Sequence, residues 1–323
     1  MRKVLGLAAM LCAAVLAGCS GGDDAAAAGD DAITVGFSQV GAESEWRTAN
    51  TRSVRESLAA PEFDLRFSDA QQKQENQIRA LRSFIAQGVD VIAFSPVVET
   101  GWDTVLREAR SAGIPVVLTD RAVSVDDESL YATFIGSDFV EEGRRAARWV
   151  IEDRKDAEGP VRIVELQGTV GSAPANDRMR GFKEVIDADP RFQIVRSQSG
   201  DFTRARGKEV MEAFLKAEEG GIDVLFAHND DMAIGAIQAI EEAGLKPGED
   251  IRIVSIDGVR GAFEAMKAGK LNATVECNPL LGPQLAELIR DVHAGREVPR
   301  RVEVEEGVFT QDQAEAELPN RKY

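Results

Sequence analysis

A short apolar run at residues 33–38 gives way to Gln39 and then to Glu43, Ser44, Trp46 and Arg47, placing a carboxylate, a hydroxyl, an indole and a guanidinium within five residues. The same switch recurs four times. Residues 114–118 lead to Asp120-Arg121; 161–166 lead to Gln167-Gly168 and, past a loop of small residues, to Asn176-Asp177-Arg178. Residues 222–227 lead to His228-Asn229-Asp230-Asp231, and 251–256 to Asp257-Gly258. Aromatic rings stack on apolar C–H faces, while Asp, Asn and Arg form paired hydrogen bonds to hydroxyls without a compensating ligand charge. That mixture suits an uncharged polyhydroxy compound such as a carbohydrate.

Each feature alone also has a plainer role. Trp46 could fill a core and Arg47 a solvated helix face; Asp120-Arg121 could be an ion pair at a turn; Asn176 or Asp177 could cap a helix. Five apolar runs ending in Asp, Asn or Arg form a set that an ordinary fold does not require. Other chemistries find less support. His228 and His293 are the only histidines and no Cys/His spacing accompanies them, so His228 is read as packing and no metal is expected. Adjacent carboxylates such as Asp230-Asp231 do not face one another on a helix, no Ser-His-Asp order is present, and a Gly-x-x-x-x-Gly-Lys-Ser/Thr loop is missing. No catalytic residue and no cofactor is expected, although Asp230-Asp231 or Glu43-Glu45 leave a secreted glycoside hydrolase as a rival.

These side chains need a scaffold that delivers strand ends to one place. Short β-branched runs alternate with amphipathic stretches about a dozen residues long. Strands are expected at 33–38, 63–68, 89–95 and 114–119, with helices at 45–59, 74–87 and 102–112 between them. A second set is expected to begin with 131–135 and continue through a helix at 140–152, a strand at 161–166, a helix at 178–186 and a strand at 193–197. A helix at 205–217, a strand at 222–227, a helix at 232–243 and a strand at 251–256 complete it. Right-handed βαβ crossovers of this length give parallel sheets covered on both faces, so the fold class is α/β with two Rossmann-like doubly wound lobes. In such sheets ligands sit beyond the carboxyl ends of the strands, where the polar residues above stand.

The chain has 323 residues and 44% apolar composition, enough for about two domains. Its formal net charge of −17 repels a nucleic-acid backbone. Met1, Arg2 and Lys3 followed by an apolar run to Gly18 read as a signal peptide, too short to span a bilayer. The run closes in Leu16-Ala17-Gly18-Cys19, which resembles the bacterial lipobox and implies cleavage and lipidation at Cys19. Residues 20–31 read as a flexible tether. An extracytoplasmic, lipid-anchored protein is expected. Cys12 leaves with the signal and Cys19 carries lipid, so Cys277 has no intramolecular partner.

Several stretches together resemble one family. They are Gly36-Phe37-Ser38-Gln39-Val40-Gly41, Gln71-Gln72-Lys73-Gln74-Glu75-Asn76-Gln77, Ser95-Pro96-Val97-Val98, Glu165-Leu166-Gln167-Gly168-Thr169-Val170-Gly171, Ser197-Gln198-Ser199-Gly200-Asp201-Phe202-Thr203-Arg204 and Ala227-His228-Asn229-Asp230-Asp231-Met232. From about residue 33 to 257 the chain resembles the galactofuranose-binding periplasmic proteins of ABC transporters, within the type I, ribose- and galactose-binding family. The resemblance implies a Venus-flytrap protein whose ligand residues are Glu43, Ser44, Trp46, Arg47, Asp120, Arg121, Arg178, Asn229 and Asp257. It also implies three interlobe crossings near Gly136, Cys277 and Glu306. The lobes would then be 32–136 with 278–306, and 137–277 with 307–323. Where related sugar binders carry a Gln two residues before a Pro, this chain has Cys277 before Pro279, with Glu276 beside it.

A monomeric binding protein that presents a monosaccharide to a membrane permease driven by a separate ATPase is therefore expected. A sugar-sensing receptor for chemotaxis or a sensor kinase is the alternative. A regulator of the lactose-repressor type would need a basic helix-turn-helix where this chain has a signal peptide and an acidic tether.

Overall fold

Four-residue runs such as Val91–Phe94 and Val116–Thr119 are buried at every position, as strands covered by helices on both faces must be. The computed structural model of the protein describes residues 32–218 and 221–323. The signal peptide, the tether and Cys19 lie outside them.

The first sheet contains β1 (Ile33–Gln39), β2 (Phe63–Asp69), β3 (Val91–Phe94), β4 (Val116–Thr119), β5 (Thr133–Gly136) and β11 (Arg301–Glu303), in the order β11-β5-β4-β3-β1-β2 and all parallel. The second contains β6 (Val161–Gln167), β7 (Phe192–Ser199), β8 (Val224–Ala227), β9 (Arg252–Asp257), β10 (Ala273–Glu276) and β12 (Val308–Thr310), in the order β12-β10-β9-β8-β6-β7. Only β12 runs antiparallel to its neighbour. Helices α1 (Glu45–Ser57), α2 (Gln74–Gln87) and α3 (Asp103–Ser111) serve the first sheet, together with α9 (Gly282–His293), whose Leu285 and Ile289 pack with Val35, Phe37 and Val91. Helices α4 (Phe139–Asp153), α5 (Ala173–Ile186), α6 (Arg204–Ala217), α7 (Asp230–Glu242) and α8 (Arg260–Lys267) cover the second.

The α/β reading with two parallel-sheet lobes is therefore correct, with two corrections. Residues 131–135 do not open the second set: β5 pairs with β4 in the first sheet, and hydropathy cannot tell which sheet a strand joins. Helix α5 begins at Ala173, not near Arg178, because Pro174 is pre-organised for a first turn, so Asn176 and Asp177 lie inside the helix. Beyond Asp257 the structure adds α8, β10, α9, β11 and β12. The chain passes between the sheets after β5, after β10, and between β11 and β12. Among the described residues no helix is long and apolar enough to cross a membrane.

Candidate ligand-binding site

On the first lobe the Ser44 hydroxyl caps α1 by accepting from the Arg47 amide at 3.1 Å, which fixes where the loop from β1 turns into the helix. Arg47 then reaches the Asp120 carboxylate at 2.7 Å and donates through Nε to Glu43 at 3.1 Å. Asp120, just past β4, holds a left-handed backbone at φ 64° and accepts from the Ser95 hydroxyl at 2.8 Å. Sparsely populated backbone of this kind persists only where the surroundings impose it. Arg121 donates to the Val97 carbonyl at 3.2 Å and stands 5.3 Å from the Phe202 ring centroid. Burial alone would lower the Arg47 guanidinium, but Asp120 and Glu43 hold its pKa above the ordinary value. Burial and then the neighbouring Arg47 charge bring Arg121 down to about 10, so it remains charged at neutral pH. Two carboxylates and two guanidiniums thus offset one another on this wall.

The second lobe repeats the principle. Arg178 on α5 donates to Glu142 on α4 at 2.7 Å and to the His228 carbonyl at 2.6 Å, with Asp257 at 3.8 Å. That reach requires α4 and α5 to touch: a Cβ on Gly181 would lie 1.9 Å from the Val140 carbonyl oxygen, and one on Gly143 2.2 Å from that of Arg178. Asn229 caps α7 through Oδ1 at 3.0 Å and donates to the Phe202 carbonyl at 3.2 Å. Asp257 ends β9 at φ 135°, and burial pushes its carboxyl well above the usual range against the opposing pull of Arg178. His228 is a packing residue, its ring 5.0 Å from Phe226 and its Nε2 3.0 Å from Glu165.

All nine residues singled out in the sequence line one cavity between the lobes, of about 20 Å3 with the lobes as they stand, room for about one water. Phe139, Pro174, Phe202 and Cys277 complete its wall. Sequence reasoning missed the first three because they come from helix starts rather than strand ends. The available signal was an aromatic beside a helix cap, Phe139 after Asp138 and Phe202 before Thr203. Glu43 Oε2, Arg121 Nε and Asp257 Oδ2 are buried without a partner, two acceptors and one donor contributed by both lobes. Each costs about 1–3 kcal/mol while unpaired, and a hydroxyl-rich, uncharged guest would satisfy them. Asn176 is not among the lining residues; its amide donates to Glu99 of the first lobe.

A family profile described as "Periplasmic binding protein domain" matches residues 35–297. The chain belongs to the periplasmic binding protein family. This binding protein is 50% identical over 294 residues to the galactofuranose-binding protein YtfQ of Escherichia coli, covering 90% of this chain and 92% of that one. A crystal structure from Mycobacterium smegmatis in complex with β-D-fucofuranose superimposes with a TM-score of 0.88 at 58% identity, covering 90% of this chain and 96% of that one. The arabinose ABC transporter binding protein of Shewanella sp. ANA-3, bound to α- and β-L-arabinofuranose, gives 0.86 at 54%, covering 90% and 95%. The binding protein is thus an extracytoplasmic, sugar-binding, non-enzymatic component of an ABC importer, and the hydrolase reading is set aside. Of the carboxylates that the rival reading invoked, Asp230 accepts from the Gly258 and Val259 amides and the Thr274 hydroxyl and does not line the cavity.

Proposed function

We propose that this chain captures a monosaccharide in its furanose form, galactofuranose or a similar pentose or hexose, between its two lobes and presents the closed complex to a permease powered by a separate ATPase. One observation carries the reading: residues of both lobes that hold unpaired buried donors and acceptors line a single cavity whose own charges already offset one another. Glu43, Ser44, Trp46, Arg47, Asp120 and Arg121 bind from one side, and Arg178, Asn229 and Asp257 from the other. The furanose preference draws on the ligands named for the similar proteins.

The lobes, 32–136 with 278–306 and 137–277 with 307–323, rotate about the three crossings. Sugar stabilises the shut form because only that form satisfies both sets of polar atoms. The protein acts as a monomer, tethered through residues 20–31 to a lipid on Cys19. A thermal-shift screen over pentoses and hexoses, including methyl furanosides, tests the proposal. Furanosides are expected to raise the melting temperature most, and a response to pyranosides alone would refute the furanose assignment.

A further inference from the structure

A second set of charged groups bridges the lobes without lining the ligand cavity. The backbone N–H of Glu45, the first residue of α1, donates to Asp231 Oδ2 at 2.7 Å across the cleft. Asp231 stands in the first turn of α7 on the other lobe, and its Oδ1 accepts from Arg204 Nε at 2.6 Å. The same guanidinium returns to the Glu45 carboxylate at 2.9 Å, closing a ring of three residues. On the other flank of the cavity the Glu99 amide donates to the Gly171 carbonyl at 2.9 Å, and Asn176 donates to the Glu99 carboxylate.

The members of the ring are not equal. Arg204 and Glu45 side chains are 48% and 34% exposed, so water and salt screen their ion pair. The Asp231 carboxylate is only 5% exposed and takes a backbone donor from the N-terminus of α1, where a negative charge is favoured and the amide has no partner within its own helix. Burial and then the Asp231 charge raise the Glu45 carboxyl, which marks how closely closure presses the two carboxylates together with Arg204 between them.

We propose that Asp231 is the closure latch of the cleft, setting how long the lobes stay shut over the sugar without touching it. The inference rests on the sugar-binding reading above. A contact that joins protein to protein favours the shut form whichever sugar is inside, so it acts on release and leaves the preference among sugars unchanged.

The test uses the full chain with methyl β-D-galactofuranoside, read by stopped-flow tryptophan fluorescence through Trp46 in the cavity wall. Asp231→Ala is expected to speed sugar release about tenfold and change the association rate less than about twofold, with the ranking of sugars preserved. Arg204→Met and, on the opposite flank, Glu99→Ala are expected to act in the same direction, and either replaces Asp231→Ala if that variant fails to fold. Small-angle scattering of the sugar-free protein reads the latch independently: the variant is expected to have a larger radius of gyration than wild type. An unchanged release rate in a folded variant overturns the latch, and so does a changed ranking of sugars, which would make Asp231 a recognition residue. If wild type responds to no furanoside, the sugar reading fails, and the scattering comparison still decides the latch, equal radii defeating it.

Discussion

Trp46 donates its indole N–H to the Cys277 carbonyl oxygen at 2.6 Å, tying the first turn of α1 to the segment by which the chain leaves the second sheet. The same ring packs into the second lobe's core and lines the cavity, with the Arg47 guanidinium 4.7 Å from its centroid. One residue therefore supplies a wall for the ligand and a direct bond between the lobes.

Trp46→Phe keeps an aromatic wall and removes the donor, leaving a buried carbonyl unpaired in the closed form. At about 1–3 kcal/mol for such a group, sugar affinity should fall roughly tenfold in calorimetry. Affinity within twofold of wild type would mean that the bond contributes nothing to closure.

Gly181→Ala should damage fold and site together. The added methyl would sit 1.9 Å from the Val140 carbonyl oxygen, so α5 must move away from α4 and carry Arg178 from Glu142. Overpacking of this kind costs about 1–3 kcal/mol, which lowers the melting temperature by at least about 2 °C. Sugar affinity should drop in parallel. Gly159→Ala, where a Cβ meets nothing within 4 Å, is the control and should leave both unchanged.

Glu306 should make stability pH-dependent. Its carboxylate accepts from the Ser137 hydroxyl and from the Asn278 amide at 3.0 Å, so it touches all three crossings. Glu142 and Cys277 place ligand-type atoms within 4.8 Å of it, and Arg145 binds its backbone carbonyl at 2.6 Å. Burial, then the Glu142 charge, raises the Glu306 carboxyl to about 9 from an ordinary 4.5. The folded protein thus holds a proton that the unfolded chain releases between about pH 4.5 and 9, and the stability this contributes is present below that window and lost as pH rises through it. Glu142 Oε1 is buried beside it without a hydrogen-bond partner. Melting temperatures from pH 5 to 9 should fall less steeply for Glu306→Gln than for wild type. Parallel curves would contradict the assignment.

Whether a feature could be read from the sequence depended on whether its signal was local. Asp120, Asn229 and Asp257 stood out because an apolar strand and its polar end are adjacent in the chain, and α/β topology gathers such ends in one place. Phe139 and Phe202 did not, since an aromatic beside a helix cap looks the same whether it faces a cavity or a core. The hydropathy pattern groups strand β5 with the wrong set because its burial is identical in either sheet; its pairing with β4 and β11 is a tertiary fact. The last elements, β10 to β12, are three or four residues long and hand the chain between lobes, so they carry almost no periodicity. The sequence leaves Asn176 open between a cap and a contact; in the structure it bonds Glu99 across the cleft.

The central claim is that polar side chains of both lobes grip one sugar, and titration calorimetry with methyl β-D-galactofuranoside tests it most directly. Wild type should bind one sugar per chain, and Asp120→Ala on one lobe and Arg178→Ala on the other should each weaken binding by at least about tenfold, both variants remaining folded. Unchanged affinity in both variants would contradict the account.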